Sequence, residues 1–435
     1  MTVFIILPTQ LYPRSKTFWK QWEKIVLIED PHYVNKHMHP LKLWMHRASM
    51  LEYYDSIDHK SKLYVQYDKI FNLDIDFTIC HPTDEAIVKK YKHGTIIDTP
   101  GFILKQDELQ LMDTSSHDAF YKRMRSKLDI LMDGNKPIGD KWSYDESNRK
   151  RYPHDFKEAN PLSRSIKNKY ITQASPIKSL SVIKTNTTDM IWPTNRKRAL
   201  IDLREFVKYR LTDFGPFQDA IRDDIVVGNH SCISVPLNIG LITPLDVIKE
   251  SMSYEIPIQS IEALIRQIIG WREYIRMKYV LHGLTGWSHL NNMNKPLDNS
   301  WYSGTTGIAV LDWSIKRVLK YSYASHIERL MLLVNYAVLL RLKYEDVFFW
   351  FRNCFCDGYD WVMLNVTMGV NGLSKKNKFM KRAYLTNGTY LKKMGLKISK
   401  EDEVQLRQLY NKFIKENKEL AKRDYRLAAA VKRLK

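Results

Sequence analysis

Two cysteines stand one residue apart in the stretch FFWFRNCFCDGYDWVM, residues 348–363. A thiol pair can bind a metal or form a disulfide, so Cys354 and Cys356 raise both possibilities. A tetrahedral metal site needs four ligands, and the other cysteines, Cys80 and Cys232, lie far away in the sequence. The pair alone therefore cannot complete a metal site, and four cysteines in a chain of this length do not form a disulfide framework, which predicts a reducing compartment.

Three other short motifs carry side chains that could do chemistry. In NHSCIS (229–234), short hydroxyl side chains and backbone amides at a helix start suit a pyrophosphate, although a plain N-cap would look the same. In GWREY (270–274), Trp271 could stack on a planar ligand or belong to a core. In SHIERLM (325–331), His326 could transfer a proton, since histidine titrates near neutrality; ordinary hydrogen bonding is the alternative.

The elements that must position these motifs fall into two patterns. Short apolar runs alternate with amphipathic helical segments over the first hundred residues, which predicts a parallel sheet with helices on its faces. The predicted strands are VFIILP (3–8), KIVLIE (24–29), KLYVQY (62–67), DFTIC (76–80) and GTIID (94–98).

Helical periodicity dominates the chain from about residue 200. The segment IPIQSIEALIRQIIGWREYIRMKYV forms an apolar stripe, with Ser260 as its predicted N-cap. We expect a Rossmann-like α/β domain over residues 1–115, a polar connector over 116–199 and a larger all-helical domain over 200–435.

The charge balance predicts a polyanionic partner. The chain has 435 residues, a net charge of +20 and a pI near 9.5. A basic excess of this size is typical of nucleic-acid binding, and a solubility bias is the alternative. No run approaches the roughly 20 apolar residues of a membrane helix, so we expect a soluble intracellular protein. Basic clusters occur at Lys122, Arg123 and Arg125, at Arg149–Arg151, and at Arg196–Arg198.

Five longer stretches, in this order, resemble the photolyase/cryptochrome family. The resemblance is to its deoxyribodipyrimidine photolyase-related group, the iron–sulfur bacterial cryptochromes and photolyases. IEDPHY (28–33) and KLWMHRASM (42–50) extend it into the first domain. The five stretches are FYKRMRSKLDILMDGNKPIGDKWSYDESNR (120–149), GNHSCISVPLNIGLITPLDVI (228–248), IEALIRQIIGWREYIR (261–276), YASHIERLMLLVNYAVLL (323–340) and DGYDWVMLNVTMG (357–369).

The resemblance implies FAD, folded in the helical domain, which when reduced and excited by light passes an electron to a UV-damaged pyrimidine pair flipped from DNA. It assigns the FAD phosphates to three residues of the NHSCIS motif, His230, Ser231 and Ser234. It implies that Asp357 holds the flavin N3 and O4 edge and pairs with Arg329 across the flavin.

The remaining site residues are also implied by the resemblance. Trp271 would stack on the flipped bases, and Arg272 would form a salt bridge in the cavity. His326 would face the lesion, and Trp350 would reduce the flavin in light. Met363 would lie near flavin N5.

The relatives carry two further cofactors, an iron–sulfur cluster and an antenna chromophore. The relatives bind a [4Fe–4S] cluster through four cysteines, and this chain has none at the matching positions. We therefore expect the cluster to be lost, with no metal bound, and Cys354 and Cys356 to be packed thiols. A lumazine-type antenna chromophore, if bound, would sit near Gln10, Glu29 and Tyr33.

Three functions remain open at this point. A monomeric photolyase acting on UV-damaged DNA is favoured, with (6-4) photoproducts preferred because of His326. Cyclobutane dimers stay close behind, since Ser325 replaces the first histidine of the pair that the relatives often carry. The alternatives are a photosensor that keeps FAD without repair and a flavin-less DNA-binding or structural protein.

Overall fold

The computed structural model describes residues 2–113, 116–158, 164–174, 183, 190–283, 293–369, 384–422 and 424–434. The predicted α/β region followed by a larger helical region is confirmed. The predicted boundary at 115 falls on residues outside these ranges, and the domain limits stay predictions.

All five predicted strands form within residues 2–113, each one or two residues shorter than its apolar run. They make one parallel sheet in the order β3-β2-β1-β4-β5. The central strand β1 is buried along its whole length, as expected for a parallel strand covered on both faces. The strands are β1 (Val3–Ile6), β2 (Lys24–Ile28), β3 (Lys62–Val65), β4 (Phe77–Cys80) and β5 (Thr95–Ile97).

Helices cover the sheet and build the rest of the chain. Those of the first region are α1 (Lys16–Lys20), α2 (Pro40–Ser56), α3 (Glu85–Lys90) and α4 (Leu109–Met112). A second group is α5 (His117–Leu128), α6 (Lys169–Ala174), α7 (Arg196–Tyr209), α8 (Leu211–Phe214), α9 (Ser234–Asn238), α10 (Pro244–Met252), α11 (Ile258–Ile265) and α12 (Glu273–His282). The last group is α13 (Ala309–Tyr321), α14 (Asn335–Leu339), α15 (Tyr344–Cys354), α16 (Asp360–Leu364), α17 (Thr389–Lys393), α18 (Lys400–Glu416), α19 (Lys418–Ala421) and α20 (Tyr425–Arg433). A short hairpin pairs β6 (Met132–Asp133) with β7 (Lys136–Pro137).

The predicted N-cap Ser260 is wrong. Helix α11 begins at Ile258 after Pro257, so Ser260 lies inside the helix and is fully buried. Its hydroxyl donates to Thr212 O at 2.6 Å and accepts the Gly215 amide at 3.0 Å. The serine therefore satisfies backbone groups of the neighbouring helix, which no local pattern reveals.

Three π-helical segments occur among the described residues, all in the helical region: Arg266–Arg272, Glu328–Val334 and Asn365–Gly369. The first interrupts a continuous run from α11 to α12, and the last two pack against each other. Such widened turns are uncommon and often mark functional sites, because they shift side chains out of the regular helical register.

A buried ion cluster joins the two regions. His32 Nε2 lies 3.6 Å from Asp84 Oδ2 and 3.2 Å from Asp360 Oδ2, while Arg352 Nε lies 2.6 Å from Asp360 Oδ1. Burial by itself lowers the pKa of His32. The bonds to Asp360 and Asp84 outweigh burial and the repulsion of Arg352, and raise that pKa to about 9.

This cluster predicts a pH-dependent stability. A histidine whose pKa is raised in the folded state stabilises that state fully when the pH is below its unfolded pKa of about 6.5. A shift of this size adds about 3 kcal/mol to the free energy of unfolding. The stabilisation is lost as pH rises to about 9. Urea unfolding from about pH 6 to about pH 9 should therefore show the gap between wild type and His32→Gln closing as pH rises. An unchanging gap, or an equal effect of the exposed control His93→Gln, would contradict the cluster's role.

Candidate functional site

Asp357 forms the centre of the candidate site and is held from several elements. Arg329 Nη1 lies 3.1 Å from Asp357 Oδ1, and both side chains are buried. The Ser234 hydroxyl donates to Asp357 Oδ2 at 2.7 Å, and Asn238 Nδ2 donates to the Asp357 carbonyl at 3.1 Å. The predicted Asp357–Arg329 pair is thus present as a direct contact, joined to a hydroxyl of the predicted phosphate motif.

The tight turn after α15 explains how Asp357 is presented. A side chain at Gly358 would place its Cβ 2.7 Å from Arg352 O and 2.8 Å from Phe351 O, closer than real contacts allow. The Cys356 amide donates to Ser322 O at 3.0 Å, and the Ser322 hydroxyl donates to Cys354 O at 2.7 Å. A missing side chain and these cross-links together fix the turn.

The two cysteines of this segment are buried free thiols. Burial raises the pKa of Cys356 to about 12 and that of Cys354 further. Neutral buried thiols behave as small apolar side chains. This agrees with the packed-thiol interpretation, while loss of the iron–sulfur cluster stays a prediction.

His326 belongs to a hydrogen-bonded chain with Asp219 and Tyr390. Its Nε2 lies 3.0 Å from Asp219 Oδ1, and Tyr390 donates to Asp219 Oδ2. Burial would raise the pKa of Asp219, but the bonds from His326 and Tyr390 and the charge of Arg149 hold it below its usual range. Asp219 is therefore an ionised partner that fixes the orientation of the imidazole.

A second histidine lies next to His326. The rings of His230 and His326 are 5.8 Å apart between centroids and nearly perpendicular. His230 Nε2 lies 2.9 Å from Gln218 O, while its Nδ1 has no hydrogen-bond partner among the described residues. Burial, aided by His326, lowers the pKa of His230 to about 4, so this ring is neutral. Tertiary packing thus places His230 beside His326, although the preceding residue in the sequence is Ser325 and not a histidine.

Ser325 has a local role of its own. Its hydroxyl accepts the Glu328 amide at 3.3 Å, and Glu328 Oε2 accepts the Ser325 amide at 2.9 Å. This is the reciprocal arrangement of a capping box. It begins the helix that carries His326 and Arg329, so a serine here positions both side chains.

The remaining NHSCIS residues form a turn before α9. The Ser231 hydroxyl accepts the Ile233 amide at 3.5 Å, and Cys232 has a left-handed φ of 58°. Ser234 is engaged by Asp357. The structure thus places His230, Ser231 and Ser234 around one turn; their phosphate contacts stay predictions.

Trp271 and Arg272 point in different directions. The Trp271 ring stacks on His117 of α5, with centroids 3.7 Å apart and planes inclined by 11°. Arg272 is partly buried against Phe102 and Trp361, with Cζ 4.2 Å and 5.0 Å from their ring centroids. Burial lowers the pKa of Arg272 to about 10. One face of Trp271 is thus covered, and the Arg272 contacts are mainly aromatic, with Leu237 O at 3.4 Å.

Met363 is fully buried in the apolar core of the helical region. Two positions further on, Asn365 begins the third π-helical segment, and its Oδ1 has no hydrogen-bond partner among the described residues. Sequence reasoning missed Asn365, and also Asn238, Asp219 and Tyr390. The lone amide after the apolar DWVML run was the available signal for Asn365.

Trp350 is fully buried behind this site. Its ring lies 5.8 Å from Phe355, and Phe355 lies under Arg329 with 4.4 Å between the guanidinium carbon and the ring centroid. On the other side Trp301 is 5.4 Å away, edge-on, and its carbonyl accepts the Trp350 indole N–H at 3.0 Å. Trp350 thus has Trp301 and Phe351 among its aromatic neighbours, and Trp301 is readily oxidised whereas Phe351 is not.

The predicted antenna residues are all engaged within the protein. Gln10 donates to Cys80 O at 2.6 Å, and Tyr33 donates to Pro82 O at 3.3 Å. Glu29 is fully buried and is bound by Arg47, Tyr64 and the Tyr67 amide. A cavity of about 230 Å³ beside Glu29 lies at the carboxyl ends of β2 and β3; an antenna stays a prediction.

One basic cluster must be corrected. Arg125 is fully buried and is not available to a phosphate. Its guanidinium donates to the carbonyls of Leu131 and Trp142. Arg123, Lys150, Arg151 and Lys197 are exposed, and their phosphate contacts stay a prediction. Among the described residues, no helix combines the length and apolar character that crossing a membrane requires.

The donor set around Asp357 fits the group that the sequence implies. Asn365 Oδ1 is a buried acceptor without a hydrogen-bond partner among the described residues, and Asp357 Oδ1 has the ion-pair contact with Arg329 but no well-aligned hydrogen bond. Buried polar atoms are normally satisfied, so these acceptors have remaining capacity for N–H groups of a bound ligand such as an isoalloxazine ring. Arg329 and Ser234 complete a polar edge of the kind that flavins need.

Comparisons with known proteins find similarity to photolyase-related proteins. Residues 76–177 match the family described as deoxyribodipyrimidine photo-lyase-related protein. A curated (6-4) photolyase of Agrobacterium fabrum is 29% identical over 336 residues; the match spans 71% of this chain and 64% of the relative's length.

Solved structures support the fold. A cryptochrome of Synechocystis sp. PCC6803 superposes with a TM-score of 0.60 at 15% identity, covering 90% of this chain and 88% of the other. A class III photolyase of Agrobacterium tumefaciens gives 0.58 at 13% identity, covering 95% and 98%. With the match of residues 76–177 to photolyase-related proteins, these findings show that the chain resembles the photolyase/cryptochrome family and shares its two-domain fold.

Proposed function

We propose that this protein is a DNA photolyase that binds FAD and repairs UV-induced pyrimidine dimers, with (6-4) photoproducts as the preferred lesion. The observation that carries the proposal is the pairing of a buried Asp357–Arg329–Ser234 edge with His326, which Asp219 orients. The first arrangement suits a flavin, and the second suits a lesion that must be protonated.

Bound FAD would supply light-driven one-electron chemistry. The chain's own part is to hold and tune that group. Asp357 and Asn365 offer acceptors to its N–H edge, Arg329 balances the carboxylate charge, and Ser234 fixes the carboxylate rotamer.

His326 would act on the lesion as proton donor. Its Nε2 is engaged by Asp219, so Nδ1 is the ring nitrogen that remains for the substrate. The side chain is 42% exposed, which allows a flipped base to reach it. A positioned general acid of this type contributes about 10²–10⁴-fold to a reaction.

Trp350 would be the entry point for reducing electrons. Because phenylalanine is much harder to oxidise, Trp350→Phe should slow light-driven reduction of bound FAD by at least about tenfold, which needs only about 1.4 kcal/mol of added barrier. Absorbance under illumination with an external reductant measures the rate. Trp19→Phe, a buried tryptophan of the α/β domain, is the control, and equal rates for the two variants would contradict the role.

The partner would be UV-damaged DNA, bound by a monomer through exposed basic side chains. Exposed Arg123, Lys150, Arg151 and Lys197 support phosphate contacts of this kind. Trp271 keeps one face away from His117, which leaves it able to stack on an unpaired base.

A photosensor without repair activity is the second candidate, favoured by the cryptochrome neighbour. The two functions separate in one experiment. The purified protein is scanned for flavin absorbance, then illuminated with reductant and oligonucleotides carrying either a (6-4) photoproduct or a cyclobutane dimer. Light-dependent restoration of one lesion supports repair and names the substrate; flavin without restoration favours the sensor, and absence of flavin contradicts both.

A further inference from the structure

Lys42 is a buried cation of the α/β domain that reaches the turn carrying Asp357. It lies in the first turn of α2 and is 1% exposed. Its ammonium group donates to Arg352 O at 2.7 Å and to Gly358 O, and lies 4.7 Å from the Tyr359 ring centroid. The contacts cross between the two regions of the chain.

The two carbonyls that Lys42 binds are the two sides of one turn. Arg352 belongs to the last turn of α15, and Gly358 follows Asp357 directly. At Gly358 a Cβ would approach Arg352 O to 2.7 Å, so these backbone segments already touch. A donor between the two carbonyl oxygens ties the segments together and so fixes where Asp357 points.

A buried ammonium group in this place is unfavourable unless it is compensated. Burial, together with Arg352, lowers the pKa of Lys42 to about 8, and Cys356, Asp357 and Asp84 oppose the shift. The group is therefore largely charged at neutral pH. Its positive charge lies near the carboxylate that faces the candidate flavin edge.

We propose that Lys42 is a positioning residue for Asp357, through which the α/β domain sets the geometry and the charge at the flavin edge. The inference rests on the proposed function, because it concerns bound FAD. It assigns the first domain a part in tuning the cofactor, separate from any antenna.

The chain offers a matched control. Lys62 in β3 also donates to two carbonyls, Tyr54 O at 2.8 Å and Ile57 O at 3.0 Å, and lies 4.6 Å from the Tyr54 ring centroid. It makes the same three kinds of contact as Lys42 but does not touch the Asp357 turn. Lys42→Met and Lys62→Met therefore remove the same kinds of contact at different places, although Lys62 is only partly buried.

The test uses the protein as purified, with two readouts. In Lys42→Met, amide hydrogen exchange over residues 352–360 should speed up, since the turn has lost its tie. The midpoint potential of FAD should fall, because a positive charge near the reduced, more negative flavin is gone. A tenfold loss in relative affinity for reduced FAD equals about 30 mV for two electrons.

Faster exchange at the turn and a lower potential in Lys42→Met, with both unchanged in Lys62→Met, would support the inference. If wild type binds FAD but the two variants show equal exchange rates and equal potentials, the Lys42 inference is overturned and the proposed function is not. Wild type without FAD would overturn the proposed function and this inference together. If Lys42→Met does not fold, Lys42→Gln, which keeps a donor without the charge, is measured in the same way.

Discussion

Asp357→Asn should abolish stable FAD binding. The asparagine keeps the shape and can still accept the Ser234 hydroxyl, but it leaves Arg329 buried without its counter-charge. Removing one member of a buried ion pair costs about 3–5 kcal/mol, which exceeds about 100-fold in an equilibrium constant. Flavin absorbance per protein after purification, with an FAD titration by fluorescence, measures the loss.

A second ion pair provides the control for this prediction. Asp246 pairs with Arg196 at 2.7 Å and 2.8 Å, and it caps α10 outside the candidate site. Asp246→Asn should lower the unfolding midpoint yet leave FAD content unchanged. FAD loss in both variants would mean that general destabilisation, and not the flavin edge, explains the result.

His326→Ala should reduce repair of the (6-4) photoproduct by about 10²–10⁴-fold, the usual contribution of a positioned general acid. FAD content should stay constant, because His326 binds Asp219 and does not contact Asp357. Single-turnover repair under saturating light measures the effect. Asp219→Asn should give part of the same loss, since it removes the carboxylate that orients the ring.

An asparagine at position 326 distinguishes the two lesions. It keeps hydrogen bonding but cannot donate a proton as a general acid. His326→Asn should therefore lose (6-4) repair as fully as His326→Ala, whereas a cyclobutane-dimer enzyme would retain most of its activity. The exposed His93→Ala serves as control, and full (6-4) repair by His326→Asn would contradict the proton-donor role.

Local periodicity explains why much of the architecture could be predicted. The five parallel strands follow from apolar runs such as VFII and KIVLI, and the helical region follows from stripes such as Ile261, Leu264 and Ile265. These signals depend on which side of one element is buried, which adjacent residues encode. The errors fall where a side chain serves a distant backbone, as Ser260 does for Thr212 and Arg125 for Trp142.

Several residues of the candidate site could be predicted from the sequence, but most of their contacts could not. The residue types at Asp357, Arg329, Ser234 and His326 are readable in the chain, because a family resemblance and simple chemistry mark them. Their combination is decided by packing alone: Ser234 meets Asp357 across 123 residues, and His326 meets Asp219 across 107. Lys42 reaches Gly358 across 316 residues. Such contacts arise when helices from separate regions pack together, and no periodicity within one segment can encode which partner a side chain will meet.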